Sequence, residues 1–178
     1  MVQLLFPLTV LLCLPACAGG TDIWVAEGNL SAPAMRAADA WCAATAGAYC
    51  PAVTDHGPGR RIRSSALPGR TCGRTDMTYS WASDGSVRAE AEGIHVDLGC
   101  GPFYITDVTA THTRAAVHGP GWGGPWRRAT SAEAATHVIA HELGHVAGLV
   151  HDDTPGHIMT TASQWITGIT EADAFSLR

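Results

Sequence analysis

Apolar and polar residues alternate through the middle of the chain, from Met77 to His118. The clearest alternating segments are Tyr79–Trp81, Val87–Ala91, Ile94–Leu98 and Tyr104–Val108. A period of two residues is typical of strands with one buried and one solvated face. Because Gly85, Gly93 and Gly101 interrupt the pattern, we expect several strands of one sheet, separated at these glycines.

The first part of the chain predicts one strand and one helix. The strand covers Asp22–Ala26. The helix has Ser31 or Ala32 near its cap and ends before Gly47. Its expected apolar stripe contains Met35, Ala38, Trp41 and Cys42.

Two segments predict irregular structure. From Pro51 to Gly73 the chain is rich in glycine, proline and arginine, so we expect a long loop there. Arg60, Arg61 and Arg63 are expected to be solvated rather than to form a binding patch. The segment His118–Trp126 is a second, turn-rich loop.

The C-terminal part predicts two more helices. The first begins at Thr130, whose hydroxyl can cap it while Glu133 completes a capping box. It should end at Gly148. A last short helix begins near Thr170, which is again a cap, with Asp173 at the third position.

The N-terminal residues predict export. Residues 4–14 are apolar and uncharged, with the length of a signal-peptide core and too few residues to span a membrane. Ala16–Ala18 has the small-x-small form of a signal-peptidase site, whereas the residues up to Cys17 resemble a bacterial lipobox, in which that cysteine is lipidated. We therefore expect a signal peptide at 1–18 and one domain at 19–178. The domain is either freely secreted or lipid-anchored to a bacterial outer membrane.

Charge excludes one class of partner. The 178 residues have a formal charge of −5, and only 15% of them are charged. No basic patch is visible, so we expect no nucleic-acid partner.

Four cysteines remain after the leader. An even number of cysteines in an exported domain favours two disulfides, for which three pairings are open. Proximity alone favours Cys42–Cys50 and Cys72–Cys100. Because no CxxC pair is present, a cysteine-based zinc site is not expected.

The strongest chemical signal lies in residues 141–152, which read His-Glu-Leu-Gly-His-Val-Ala-Gly-Leu-Val-His-Asp. On a helix, His141 and His145 project from the same face. Two imidazoles one turn apart can bind one tetrahedral zinc ion. Glu142 is offset around the helix, so it can act on a water molecule at the metal without ligating the metal.

Gly148 explains how a third ligand joins the first two. A glycine at this position can adopt a left-handed conformation, end the helix and turn the chain back. That turn brings His151 towards the metal. Three neutral histidines leave a fourth position open, which is typical of a catalytic zinc site rather than a closed structural one.

The pattern His141-Glu-x-x-His145-x-x-Gly148-x-x-His151 resembles the zinc signature of the metzincin peptidases. The spacing to Ile158-Met159-Thr160 is similar to that of the matrixin branch, so the resemblance implies that Met159 forms the methionine turn beneath the metal.

The same resemblance implies an α+β fold of the zincin type. It would have a twisted, mostly parallel sheet with an active-site helix, a methionine turn and a C-terminal helix. In metzincins an edge strand above the cleft pairs with an extended substrate. We expect one of the strands between Ile94 and His118 to do so here.

The branch within this clan stays open. Asp152 follows the third histidine, as in reprolysins, where matrixins usually have serine. We expect Asp152 to form a hydrogen bond near the methionine turn and to steady His151. Arg70–Asp76 resembles the matrixin cysteine switch, but a disulfide at Cys72 is favoured because a domain beginning after this segment would lose its first helix.

Other histidines are not assigned to the metal. His137 lies one turn before the motif, and we expect it to be a partly exposed helix residue. No spacing supports a second metal site at His112, His118 and His157.

These residues predict a zinc-dependent endopeptidase with one catalytic Zn²⁺ and Glu142 as general base. Its partner would be a protein or peptide substrate. We expect a monomer that meets a membrane only through a lipid at Cys17. Further structural Zn²⁺ or Ca²⁺ stays open. Two other hypotheses also stay open, a zinc-binding surface protein without turnover and a zinc amidase that acts on a non-peptide amide.

Overall fold

Two sheets and three helices make up the part of the chain that the computed structural model describes, which is residues 23–106, 126–152, 156–161, 165–166, 168–175 and 177. The strands are β1 (Ile23–Ala26), β2 (Ala52–Thr54), β3 (Arg60–Ser64), β4 (Gly73–Trp81), β5 (Val87–Val96), β6 (Tyr104–Thr106), β7 (Trp126–Arg128) and β8 (Trp165–Ile166). The helices are α1 (Ser31–Ala44), α2 (Ser131–Val146) and α3 (Glu171–Phe175). The predicted leader and most of the predicted loop His118–Trp126 lie outside the described residues.

The main sheet has the strand order β2-β1-β3-β5-β4. Its first four strands are parallel, and β4 pairs with β5 in the antiparallel direction at the edge. A smaller sheet has the order β7-β6-β8. The expectation of an α+β fold with a mostly parallel sheet is therefore confirmed.

The period-two pattern correctly gave the buried face of β5. Ile94 and Val96 are fully buried in the core, and the residue between them, His95, is half-buried on the opposite face. The buried face of β5 packs against α2, and α1 packs against β1 and β2 of the same sheet. The hydrophobic core therefore lies between the main sheet and these two helices.

Helix α1 also holds α2 through polar contacts. The indole Nε1 of Trp41 donates to the carbonyl of Ala140 at 2.8 Å. The hydroxyl of Tyr49, which follows α1, donates to the carbonyl of Leu143 at 2.8 Å. Both acceptors lie on the stretch of α2 that carries the histidine motif, so α1 and the residues after it fix that stretch in place.

The start and the apolar stripe of α1 differ from the prediction. A single 3-10 turn, Gly28–Leu30, precedes the helix, and Leu30 rather than Ser31 is at the cap. The Ser31 hydroxyl donates to the carbonyl of Ala26 at 3.0 Å instead of capping the helix. Met35 is 38% exposed, so it is not part of the stripe. The buried residues of α1 are Pro33, Ala34, Ala37, Ala38 and Trp41.

The long loop expected from Pro51 to Gly73 is wrong, because this segment contains β2 and β3. Strand β3 lies between β1 and β5, and its Ile62 is fully buried. The arginines on either side of Ile62 give β3 no apolar pattern in the sequence, and the strand forms because it pairs with distant parts of the chain.

The arginines of β3 are only partly solvated. Arg63 is exposed as expected, but Arg61 is half-buried. Arg60 forms an ion pair with Glu90 of β5 and lies 6.0 Å from the ring centroid of Trp24. Two of the three arginines therefore help to pack the sheet.

The break expected at Gly93 is also wrong. Strand β5 runs through this glycine, which pairs with Arg61 on β3 and with Asp76 on β4. Strand β4 begins at Gly73, earlier than the alternating pattern, which begins at Met77. Partners on both sides keep Gly93 in the sheet despite its weak strand propensity.

The caps predicted for α2 and α3 are confirmed. Thr130 accepts from the backbone of Glu133 at 3.3 Å, and the Glu133 carboxylate accepts from the backbone of Thr130 at 2.8 Å. Thr170 and Asp173 form the same reciprocal pair before α3, at 3.2 and 2.8 Å.

Both favoured disulfides, Cys42–Cys50 and Cys72–Cys100, are present. Two disulfides are typical of an oxidising, extracytoplasmic environment. None of the helices in the described ranges has the length and apolar character needed to cross a membrane.

Candidate metal centre

The three predicted ligands lie together at the C-terminal end of α2. His141 and His145 are one turn apart on the helix, and His151 follows it. Nε2 of His151 lies 3.1 Å from Nε2 of His145 and 3.2 Å from Nε2 of His141. Within the described ranges, this is the one group of three or more histidine, cysteine or acidic side chains that could hold a metal ion.

The second ring nitrogens determine how two of these imidazoles are protonated. Nδ1 of His141 faces the carbonyl oxygen of Ile158 at 2.7 Å, and Nδ1 of His145 faces that of Leu149 at 2.9 Å. Because a carbonyl oxygen only accepts hydrogen bonds, each Nδ1 carries the hydrogen and each Nε2 presents a lone pair in the neutral ring. Burial lowers the pKa of His141 to about 4, so this ring is neutral near pH 7.

This arrangement fits a bound cation. The Nε2 lone pairs of His141 and His145 are close to each other and to Nε2 of His151, so a cation between them would relieve their mutual repulsion. A tetrahedral ion with bonds of about 2.0–2.1 Å to imidazole separates its ligand nitrogens by about 3.3 Å. The separations of 3.1 and 3.2 Å are close to that value. The three histidines could therefore hold one metal ion.

Gly148 ends α2 as the sequence predicted. Its φ of +91° is left-handed, a conformation that glycine adopts without steric cost. The backbone of Gly148 donates to the carbonyl of His145, and Leu149 donates to that of Gly144, both at 2.9 Å. This pair of bonds is a Schellman motif. It turns the chain so that His151 returns to the first two ligands.

Described residues that follow His151 form hydrogen bonds with one another and with His141. The backbone N–H of Asp152 donates to the carbonyl of Met159 at 3.0 Å, and its carboxylate pairs with Nδ1 of His157 at 2.6 Å. Met159 is buried, and the neighbouring carbonyl of Ile158 is the one that accepts from His141. Asp152 thus bonds the turn at Met159, and that turn orients His141 rather than His151, the residue that Asp152 was expected to steady.

Asp173 has a role that the sequence did not reveal. Its Oδ2 accepts from the backbone N–H of Ile158 at 3.3 Å as well as from the backbone and hydroxyl of Thr170 at 2.8 and 2.6 Å. The cap of α3 therefore holds the residue whose carbonyl orients His141. The cap itself was predictable, but its long-range contact was not.

Glu142 lies in the same cleft and outside the histidine triad. Its side chain is 4% exposed, and its Oε2 accepts a hydrogen bond of 2.6 Å from the hydroxyl of Thr75. Burial raises the pKa of Glu142, and the bond from Thr75 opposes that rise. Thr75 precedes the alternating pattern of β4, so no sequence signal marked it.

An open cleft of about 930 Å³ reaches the three histidines and Glu142. The first residues of β4, the disulfide partner Cys100, and Phe103 line it together with α2. His137 also lines the cleft, but it is only 8% exposed and packs edge-on against the ring of Phe103 at 5.9 Å. The prediction that His137 is partly exposed is therefore wrong, because α2 is covered on this side as well.

The edge strand expected between Ile94 and His118 is not found among the described residues of that stretch. Strand β5 lies between β3 and β4, and β6 lies between β7 and β8. Among the described strands, it is β4 that combines a free outer edge with residues in the cleft.

Comparison of this chain with models of known protein families, with curated proteins and with solved structures finds no match. The class is therefore defined by fold and site alone. It is an α+β protein with a mostly parallel five-stranded sheet and three histidines that could hold a metal ion.

Proposed function

We propose that this chain is a secreted zinc-dependent endopeptidase of the metzincin type. The observation that carries the proposal is the meeting of three Nε2 atoms and one buried carboxylate in a single open cleft. The spacing of the motif in the sequence and the resemblance to the metzincin signature support the same conclusion.

Zinc is the ion proposed because three neutral imidazoles at tetrahedral spacing are a typical ligand set for it. When bound, zinc would act as a Lewis acid and lower the pKa of a water molecule. His141, His145 and His151 would hold it. The carbonyls of Ile158 and Leu149 would keep the two helical ligands in the required tautomer.

Glu142 would act as the general base. Its carboxylate would take a proton from the attacking water and later pass it to the leaving amine. A buried carboxylate in the same cleft as the three histidines favours a catalytic site over a closed structural one.

The substrate proposed is an extended peptide that pairs with the outer edge of β4. An unpaired edge offers backbone donors and acceptors to a strand laid beside it. Residues 73–75 of this strand line the cleft that contains Glu142. The same edge would hold the scissile bond near the histidines.

Cleavage of denatured casein tests the proposal. The wild type, Glu142→Ala and the control Glu27→Ala would be prepared with zinc, and the zinc content of each would be measured. Glu27 is exposed and its side chain caps no helix, so its loss should leave cleavage unchanged. We expect Glu142→Ala to keep its zinc and lose cleavage. Zinc binding without cleavage by the wild type would favour a non-catalytic zinc protein, or an amidase if it hydrolyses a non-peptide amide.

A further inference from the structure

The Glu142 side chain is held by two residues of β4. One is Thr75, whose hydroxyl donates to Oε2 at 2.6 Å. The backbone of Thr75 pairs with Ile94 of β5, which is fully buried. The hydroxyl is therefore fixed to the main sheet and not to a loose loop.

The second residue is Gly73, which meets the other carboxylate oxygen. A Cβ atom at this position would lie 2.3 Å from Oε1 of Glu142 and 2.7 Å from Cγ1 of Val138. A side chain at this position would force the Glu142 carboxylate and the Val138 side chain to shift. The glycine lets the carboxylate lie directly against the backbone of β4.

The start of β4 is itself anchored. Cys72 forms the disulfide with Cys100, and its carbonyl accepts from the backbone of Asp97 at 2.7 Å. Both partners follow β5 in the chain. The strand that touches Glu142 is thus tied to β5 by a covalent bond and by the sheet.

We propose that Gly73 and Thr75 are positioning residues that fix the Glu142 carboxylate for proton transfer. This inference rests on the proposed peptidase function, because it names two residues that act through its general base. Neither residue is part of the histidine motif.

Positioning matters here because a glutamate side chain has several rotatable bonds. Ordering such a side chain costs about 1.5–2 kcal/mol of rotamer entropy. If Thr75 and Gly73 already order the Glu142 side chain in the folded protein, this cost does not add to the barrier of the reaction. A general base must lie about 2.6–3.2 Å from the proton that it takes, and a misplacement of about 1 Å can lower the rate about 100-fold. A carboxylate has about four acceptor sites, so the bond from Thr75 leaves Glu142 able to accept another proton.

Kinetics of three variants test the role of the hydroxyl. Thr75→Val keeps the shape and removes the hydroxyl, whereas Thr75→Ser keeps the hydroxyl. Thr54→Val makes the same change on β2, at the opposite edge of the main sheet, where the hydroxyl bonds the carbonyl of His56 instead. We expect Thr75→Val to lower kcat about 10- to 100-fold with KM and zinc content unchanged, since only the placement of the base is altered. Thr75→Ser should recover kcat to within about threefold of the wild type, and Thr54→Val should have the wild-type kcat.

A second measurement does not depend on turnover. In the zinc-free protein, we expect Thr75→Val alone to lower Tm by about 3–8 °C, because it leaves a buried carboxylate without its donor. In the Glu142→Ala background the same substitution should lower Tm by clearly less, because the hydroxyl then has only its 3.3 Å contact with the backbone carbonyl of residue 142 to lose. Gly73→Ala should show a smaller Tm shift when Glu142 is alanine than in the wild type, with a remainder from the contact with Cγ1 of Val138.

The outcomes separate this inference from the proposed function. Suppose that the wild type cleaves casein. A wild-type kcat for Thr75→Val, or a kcat for Thr75→Ser as low as that of Thr75→Val, would then overturn the positioning role and leave the proposed peptidase function intact. Equal Tm shifts in the two backgrounds would also overturn it. If the wild type cleaves no peptide, both proposals fail together.

Discussion

The sulfur of Met159 occupies the space in which a side chain at Gly144 would begin. A Cβ atom on Gly144 would lie 2.4 Å from this sulfur and 3.2 Å from Cζ2 of Trp41. Gly144 lies between the two helical histidines, where helix propensity alone favours alanine by about 1 kcal/mol. The glycine therefore allows α2 to pack closely on the turn that orients His141.

Gly144→Ala should destabilise the protein despite the gain in helix propensity. Overpacking a buried site typically costs about 1–3 kcal/mol, which corresponds to a loss of several degrees in Tm for a chain of this size. Thermal unfolding checks this, with Gly168→Ala as control because a Cβ there meets no atom within 4 Å. A Gly144→Ala variant that melts at or above the wild-type temperature would contradict the packing described here.

Zinc should stabilise the folded protein through the histidine triad. At a free zinc concentration about 100 times Kd, a single site adds about 2.7 kcal/mol, or several degrees in Tm. We expect this rise in the wild type and in His56→Ala, whose side chain is exposed and distant in the sequence from the triad. His145→Ala should lose the rise. An equal rise in His145→Ala would place the metal elsewhere.

Gly148→Ala should weaken zinc binding as well as stability. A left-handed conformation costs about 1–2 kcal/mol for a residue with a side chain, and here the strained turn is the one that delivers His151. Gly85→Ala introduces comparable strain at a φ of +81° in the β4–β5 turn. Titration with zinc should show a Kd at least about tenfold higher than that of the wild type for Gly148→Ala, and the wild-type Kd for Gly85→Ala. Equal affinities would show that the turn is not needed to place His151.

The capping box of α2 gives a prediction in pH. The Arg127 guanidinium, together with the backbone of Thr130, lowers the pKa of Glu133 from its ordinary value of 4.5 to about 2. Because the folded pKa is the lower one, the stabilisation by Glu133 is fully present above about pH 4.5 and is lost as the pH falls towards 2. Glu133→Gln should therefore melt a few degrees below the wild type at pH 7, and the difference should close on acidification. A difference that does not depend on pH would exclude this ionised cap.

The features that the sequence predicted well are local. The capping residues Thr130 and Thr170 act within one helical turn, and the Schellman turn at Gly148 needs only its own neighbours. The two histidines of α2 follow from helix geometry alone. The shorter disulfide joins cysteines that are close in the chain, and proximity also gave the longer one.

The features that the sequence did not predict depend on residues that are distant in the chain. Ile62 lies in a strand that its arginine neighbours conceal, and Gly93 stays in β5 because strands on both sides hold it. His137 is buried because Phe103 covers it. The contact between Asp173 and Ile158 joins α3 to the turn before Met159, and no sequence period connects the two.

The role of β4 could not be predicted for the same reason. Its first residues, Gly73 and Thr75, lie in a segment without alternation. Thr75 and Glu142, which are hydrogen-bonded, are 67 residues apart in the sequence. The sequence singled out Glu142 as the proposed general base, and the fold shows which strand contacts it.

The most direct test of the central claim compares casein cleavage by the wild type and by Glu142→Ala at equal zinc content. We expect one zinc ion per chain in both proteins, and a loss of at least about 100-fold in cleavage rate for Glu142→Ala, since general base catalysis typically contributes that much. Glu142→Ala that binds zinc and cleaves casein as fast as the wild type would contradict the proposed function.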